Sequence, residues 1–96
     1  MVLTTLADPT RRAVFERLRS GACSVGEIAA GLPVSRPAVS QHLKALRDAD
    51  LVRDEARGTA RIYSIHTPGL LALREWIDGF WDEALNNFKN YAESEK

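Results

Sequence analysis

From position 35 the chain reads SRPAVSQHLKALRDADLV, and Arg36, Pro37, Ser40, Gln41 and Lys44 fall on one side of it when it is wound as a helix. A carboxamide, a hydroxyl and a guanidinium exchange hydrogen bonds with base edges, and guanidinium and ammonium groups also bind phosphate, so Arg36 and Gln41 are read as reaching base edges and Lys44 as touching phosphate. Further along, Arg57 and Arg61 add two cations in a short segment of strand-forming residues. The chemistry on offer is therefore recognition, not bond breaking. No Ser/His/Asp or Cys/His arrangement, paired carboxylates in a cleft, or phosphate-cradling glycine loop is visible, and an enzyme is not expected.

These residues need a helix with an apolar back. Val39, Leu43 and Leu46 supply it at i, i+4 and i+7, opposite the polar set, with Arg36 at the rim. Ser35 is a suitable N-cap, and a proline in the first turn gives up no helical hydrogen bond. A solvated helix face with a few basic residues is common, so the flanking segments carry the argument. Before it, Ser24-Val25-Gly26-Glu27 has the form of a capping box and starts a short helix that breaks at Gly31-Leu32-Pro33. Two helices joined by a tight glycine-containing turn, the second exposing polar residues at its start, make a helix-turn-helix over 24–49. After it, two short runs around an Arg-Gly turn predict a β-hairpin over 51–66, with Arg57 at the tip and Arg61 on the second strand. Either arginine reaches phosphate or the narrower minor groove from there, or is simply solvated.

The rest of the chain frames this unit. Residues 2–20 form N-terminal helices: a short apolar lead with Leu3 and Leu6, then an amphipathic helix opened by Asp8-Pro9. Thr67-Pro68 opens a last helix over 68–91, followed by a polar tail ending ESEK. Leu70, Leu73, Ile77, Phe80, Ala84, Phe88 and Tyr91 form one stripe along it, widened by Trp76, Trp81 and Leu85. Five of the seven aromatic residues lie there. A stripe that wide exceeds what one small domain covers, which predicts a two-fold homodimer contacting through Leu3, Leu6, Leu70, Leu73, Ile77, Phe80, Ala84 and Phe88.

Ninety-six residues predict a single domain, 1–96, mainly α with a small β-hairpin, in the order α-α-α-α-β-β-α. With 45% apolar and 27% charged residues the composition is that of an ordinary globular protein. No apolar run spans a bilayer and no secretory leader is visible, so no membrane partner and a cytoplasmic location are expected. The formal net charge is zero, but residues 1–67 hold ten Arg or Lys against seven Asp or Glu, and residues 68–96 three against six. The positive part contains the polar helix face, as expected of an electrostatic footprint on one side.

In this order and at these spacings the chain resembles the ArsR/SmtB family of winged helix-turn-helix transcriptional regulators. The resemblance rests on LADPTRRAVFERL, on SVGEIAAGLPVSRPAVSQHLKALRDADLV and on RIYSI. It implies a homodimer pairing through first and last helices and repressing transcription from a palindromic operator in double-stranded DNA. It also implies DNA contact by Arg36, Pro37, Ser40, Gln41 and Lys44, with Arg57 on the wing. Many members release DNA when a metal binds a thiolate cluster or an Asp/His/Glu set on paired last helices. Here Cys23 stands alone and the last helix has no histidine, so neither a metal site nor any cofactor is expected. Glu75, Asp78, Asp82 and Glu83 are read as solvent-facing, His42 as packed or bonded to a phosphate, and His66 as structural. The pattern is that of the branch without metal sites, whose inducer, a small molecule or none, is not readable from the motif. Cys23 precedes a capped helix, the setting in which a redox role is conceivable. The competing reading is a winged-helix module that binds another protein. Salt separates the two, because DNA binding weakens steeply as salt rises.

Overall fold

The computed structural model describes residues 2–94. Met1, Glu95 and Lys96 lie outside the described residues, and with them the ends of the expected 1–96 domain and of the polar tail. The elements are α1 (Val2–Leu6), α2 (Pro9–Arg17) with a 3-10 turn at Leu18–Ser20, β1 (Cys23–Ser24), α3 (Val25–Ala30), α4 (Arg36–Asp48), β2 (Val52–Arg57), β3 (Ala60–Ile65) and α5 (Thr67–Ser94).

Each helix of the central unit starts on a side-chain cap. The Asp8 carboxylate accepts from the Thr10 and Arg11 N–H groups at 2.8 and 3.1 Å. Ser24 and Glu27 close a reciprocal capping box at 2.9 and 3.2 Å. The Ser35 hydroxyl accepts from the Ala38 N–H at 3.3 Å. Each cap satisfies donors that the first turn leaves without an intrahelical acceptor.

The expected hairpin is one part of a three-stranded antiparallel sheet in the order β1-β3-β2. Cys23 pairs with Tyr63 and Ser24 with Ile62, so the residues before the capping box complete the sheet edge. Two residues are too few to show strand alternation, which is why the sequence pattern contained only the hairpin. Gly58, at φ 59°, takes the first position of the two-residue turn between Arg57 and Ala60.

The core consists of Val14, Leu18, Cys23, Ile28, Val39, Leu43, Leu46, Leu51, Val52 and Tyr63, from α2 and its 3-10 turn, α3, α4, the residue before β2, and the sheet. All three predicted inward residues of α4 have no exposed surface. The end of α4 is closed by a Schellman arrangement: the Leu51 N–H donates to the Leu46 carbonyl at 3.0 Å and the Asp50 N–H to that of Arg47 at 2.9 Å. Asp50 occupies the left-handed position of this cap at φ 67°. Its carbonyl faces Gly69, where any Cβ would fall on the Asp50 backbone. Gly69 is the one buried residue of α5. This contact sets how closely the last helix approaches the end of α4.

Beyond Leu73, which is half-buried, every described residue of α5 is exposed. The helix has 28 residues, and the molecule measures 66 × 25 × 22 Å. It begins one residue before the expected 68 and continues past Tyr91 into the segment expected to fray.

Candidate nucleic-acid interface

α4 separates its residues as the spacing predicts. Pro37, Ser40, Gln41 and Lys44 are exposed, on the side away from buried Val39, Leu43 and Leu46, and Arg36 is exposed at the rim of that side. None of the five has a side-chain hydrogen bond or ion pair among the described residues. Thirteen residues of helix braced by α2 and α3 thus present a hydroxyl, a carboxamide and two cations on a rigid support.

His42, between the two faces, is half-buried. Its Nδ1 accepts from the Arg11 Nε at 3.3 Å, and Arg11 also donates to the Thr5 carbonyl at 3.4 Å. Of the two roles expected for His42, the structure provides the packed one, tying α4 through α2 to the end of α1.

The wing arginines are divided by the β-ladder. Arg57 pairs with Ala60 in the register and Arg61 with Ala56, and neighbouring rungs project to opposite faces. Arg57 therefore shares a face with Arg53 and Glu55, and its Nη2 lies 3.2 Å from the Glu55 carboxylate. Arg61 shares the face of Asp54 and Tyr63, and its Nη1 donates to Asp54 Oδ2 at 2.7 Å. Arg47, from the last turn of α4, reaches the same carboxylate at 3.4 Å. The Asp54 side chain is only 10% exposed, so this carboxylate joins the helix to the wing from a nearly buried position. Neither Asp54 nor Arg47 stood out in the sequence. The available signal was the alternation of VRDEAR, which turns Asp54 inward while Arg53, Glu55 and Arg57 turn outward.

The apolar set expected at a dimer contact is found mostly on α5. Leu70, Ile77, Phe80 and Phe88 are 36%, 40%, 56% and 72% exposed, Ala84 is exposed, and Leu73 is half-buried. Trp76 and Phe80 meet edge to face with centroids 4.7 Å apart. On α1, Leu3 is exposed, whereas Leu6 is half-buried and packs partly on its own core.

The remaining candidates resolve simply. Cys23 is buried, its thiol donating to the Gly21 carbonyl at 3.6 Å. His66 has its Nε2 3.6 Å from an Asp50 carboxylate oxygen. Among the described residues no three His, Cys, Asp or Glu side chains converge as metal ligands, and no helix is long and apolar enough to cross a membrane.

A braced helix with an exposed polar start, flanked by a two-stranded wing, is the architecture of a winged helix-turn-helix DNA-binding domain. The Helix-turn-helix domain family matches residues 6–55. The chain is 54% identical over 90 residues to the HTH-type transcriptional regulator Rv2034 of Mycobacterium tuberculosis, covering 94% of this chain and 84% of that protein. It is 31% identical over 86 residues to the transcriptional repressor SdpR of Bacillus subtilis, covering 90% and 96%. Among solved structures it is similar to a possible transcriptional regulator for arsenical resistance, with TM-score 0.74 and 39% identity over 88% of this chain and 93% of that one. An ArsR-like transcriptional regulator from Rhodococcus sp. RHA1 superposes with TM-score 0.73 at 32% identity, covering 95% and 89%. The chain belongs to the ArsR/SmtB family and is a DNA-binding transcriptional regulator.

Proposed function

We propose that the protein is a cytoplasmic homodimeric repressor that pairs through α5 and α1 and reads a two-fold symmetric operator with α4. The observation that carries this reading is the exposed row Ser40, Gln41 and Lys44 on a helix whose opposite side is wholly buried. Ser40 and Gln41 face base edges, Pro37 closes the approach at the start of the helix, and Lys44 and Arg57 face phosphates. The half-sites lie about 34 Å apart, one turn of DNA, or a multiple of that. A regulator not released by metal is supported by the buried, solitary Cys23 and by the histidine-free α5.

Site selection from random DNA, followed by binding of variants, tests the reading. Gln41→Ala should cost about 1–3 kcal/mol and relax preference at one position of each half-site. Lys44→Ala should weaken all sequences alike. A folded Gln41→Ala protein with full affinity and full discrimination would refute base reading by α4.

A further inference from the structure

Arg36 opens α4, but its guanidinium does not lie along the exposed face of that helix. It turns back across Gly26 of α3, where an added Cβ would stand 2.8 Å from Nη2, 3.2 Å from Cζ and 3.7 Å from Nε. No ordinary Cβ contact is that short, so any side chain at position 26 would displace the guanidinium. Beside it is a cleft of about 310 Å³ shared by Ser24, Gly26, Arg36 and the wing residues Thr59 to Arg61. No carboxylate lines this cleft. Arg36 has no ion pair among the described residues, and Arg61 is held by Asp54 through Nη1, with its side chain 56% exposed. Arg36 and Arg61, two arginines from different elements, thus border one polar gap between α4 and the wing.

We propose that this gap seats a phosphate of the DNA backbone, bound by Arg36 and Arg61 together, and that Gly26 is the positioning residue that leaves room for Arg36. A phosphodiester offers two non-bridging oxygens, and planar guanidinium forks match such oxygens better than an ammonium does. A contact made jointly by helix and wing fixes the register of the protein on the duplex and reads no base. Arg36 then acts as a phosphate ligand, although its place at the rim of the reading face also suits a base contact. The inference rests on DNA binding by α4 and deepens it.

The test uses the full chain and a short fluorescent duplex of random sequence, titrated by anisotropy across a salt series. Arg36→Ala should weaken binding about tenfold, as for one lost charge-assisted contact. The slope of log affinity against log salt should become shallower by about one unit. Arg36→Lys should keep the slope. Gly26→Ala should melt no lower than the parent, since alanine favours the helix, yet bind as weakly as Arg36→Ala. The double variant should lose nothing further. An unchanged slope for Arg36→Ala, or parental binding by Gly26→Ala, would overturn the proposal. Should Gly26→Ala fail to fold, the exposed Arg36 variants decide alone. Loss of the Gln41 discrimination with a parental Arg36→Ala slope would remove only the phosphate seat, whereas absence of any binding by the parent chain would remove the DNA reading itself.

Discussion

Arg61 and Asp54 meet at 2.7 Å across two strands of the wing, and Arg47 of α4 binds the same carboxylate at 3.4 Å. The wing is therefore tied to the last turn of α4 and not only hinged at its strand ends. Because Asp54 is nearly buried while both arginines are about half exposed, the acid is the fixed point and the guanidiniums are the parts able to turn to DNA. The tie keeps the wing and α4 in one relative position before DNA arrives, so less ordering remains to be done on binding.

Asp54→Asn tests this tie through two readouts of opposite sign. Half-exposed ion pairs contribute about 0.2–1 kcal/mol each, so urea unfolding should show a loss of about 1 kcal/mol. Affinity for random-sequence DNA at low salt should rise, because one negative charge is removed and two guanidiniums are released, with a steeper salt dependence. Weaker binding at every salt concentration would show that the geometry of the tie matters more than the charge it occupies.

The Asp50 and Gly69 contact gives a second pair of expectations. Asp50 holds a left-handed backbone conformation that glycine adopts without strain, so Asp50→Gly should raise stability by about 0.5–1 kcal/mol. Gly69→Ala has no room, because its Cβ would meet backbone and not a movable side-chain end. Its cost should be on the order of 1–3 kcal/mol, as for other overpacked sites. Thermal melts of the two variants should therefore move in opposite directions. A Gly69→Ala protein as stable as the parent would mean that α5 is not anchored there.

What the sequence made legible was local. Caps at Asp8, Ser24 and Ser35 act within three residues of themselves, and the inward set of α4 repeats at helical spacing. Both survive in the structure because each depends on neighbours along the chain. The unread features depend on partners far away. Cys23 and Ser24 form a strand only because Tyr63 and Ile62 lie alongside. Gly26 looks like a poor helix former until Arg36 is seen lying over it. The separation of Arg57 from Arg61 was readable in principle, since a two-residue turn fixes which rungs share a face. It required the register, and one slip would have exchanged the faces.

Acid should destabilise the protein through its caps. The Arg11 N–H holds the Asp8 carboxyl below its ordinary pKa, with the Thr10 N–H and the charge of Arg11 adding to it. The Ser24 N–H and hydroxyl do the same for Glu27. A lowered folded-state pKa means that the ionised cap favours folding. That contribution is fully present above the ordinary carboxylate range and is lost as pH falls through the folded value. Melting temperature should drop between about pH 5 and pH 3. Asparagine caps as well as aspartate but does not titrate there. The gap between parent and Asp8→Asn should thus be smallest near neutrality and open in acid, where only the parent loses its ionised cap. A gap constant with pH would assign the effect to other carboxylates.

The last expectation concerns α5. Its apolar residues contact little of their own chain: the core is complete without them, and only Gly69 of this helix is buried. Replacing Ile77 and Phe80 together by Asp should therefore leave the winged domain folded, with parental far-ultraviolet dichroism from α2 to β3. Apolar area is worth roughly 25 cal/mol per Å² when removed from water, and two charges placed in a paired face would also have to be desolvated. Sedimentation should report a monomer, against the dimer proposed for the parent. Because two recognition helices on one particle bind a two-fold site far more tightly than one, the monomer should bind a single half-site weakly and show no dependence on half-site spacing. A doubly substituted protein that stayed folded and dimeric would place the interface elsewhere, with α1 and its exposed Leu3 the next surface to substitute.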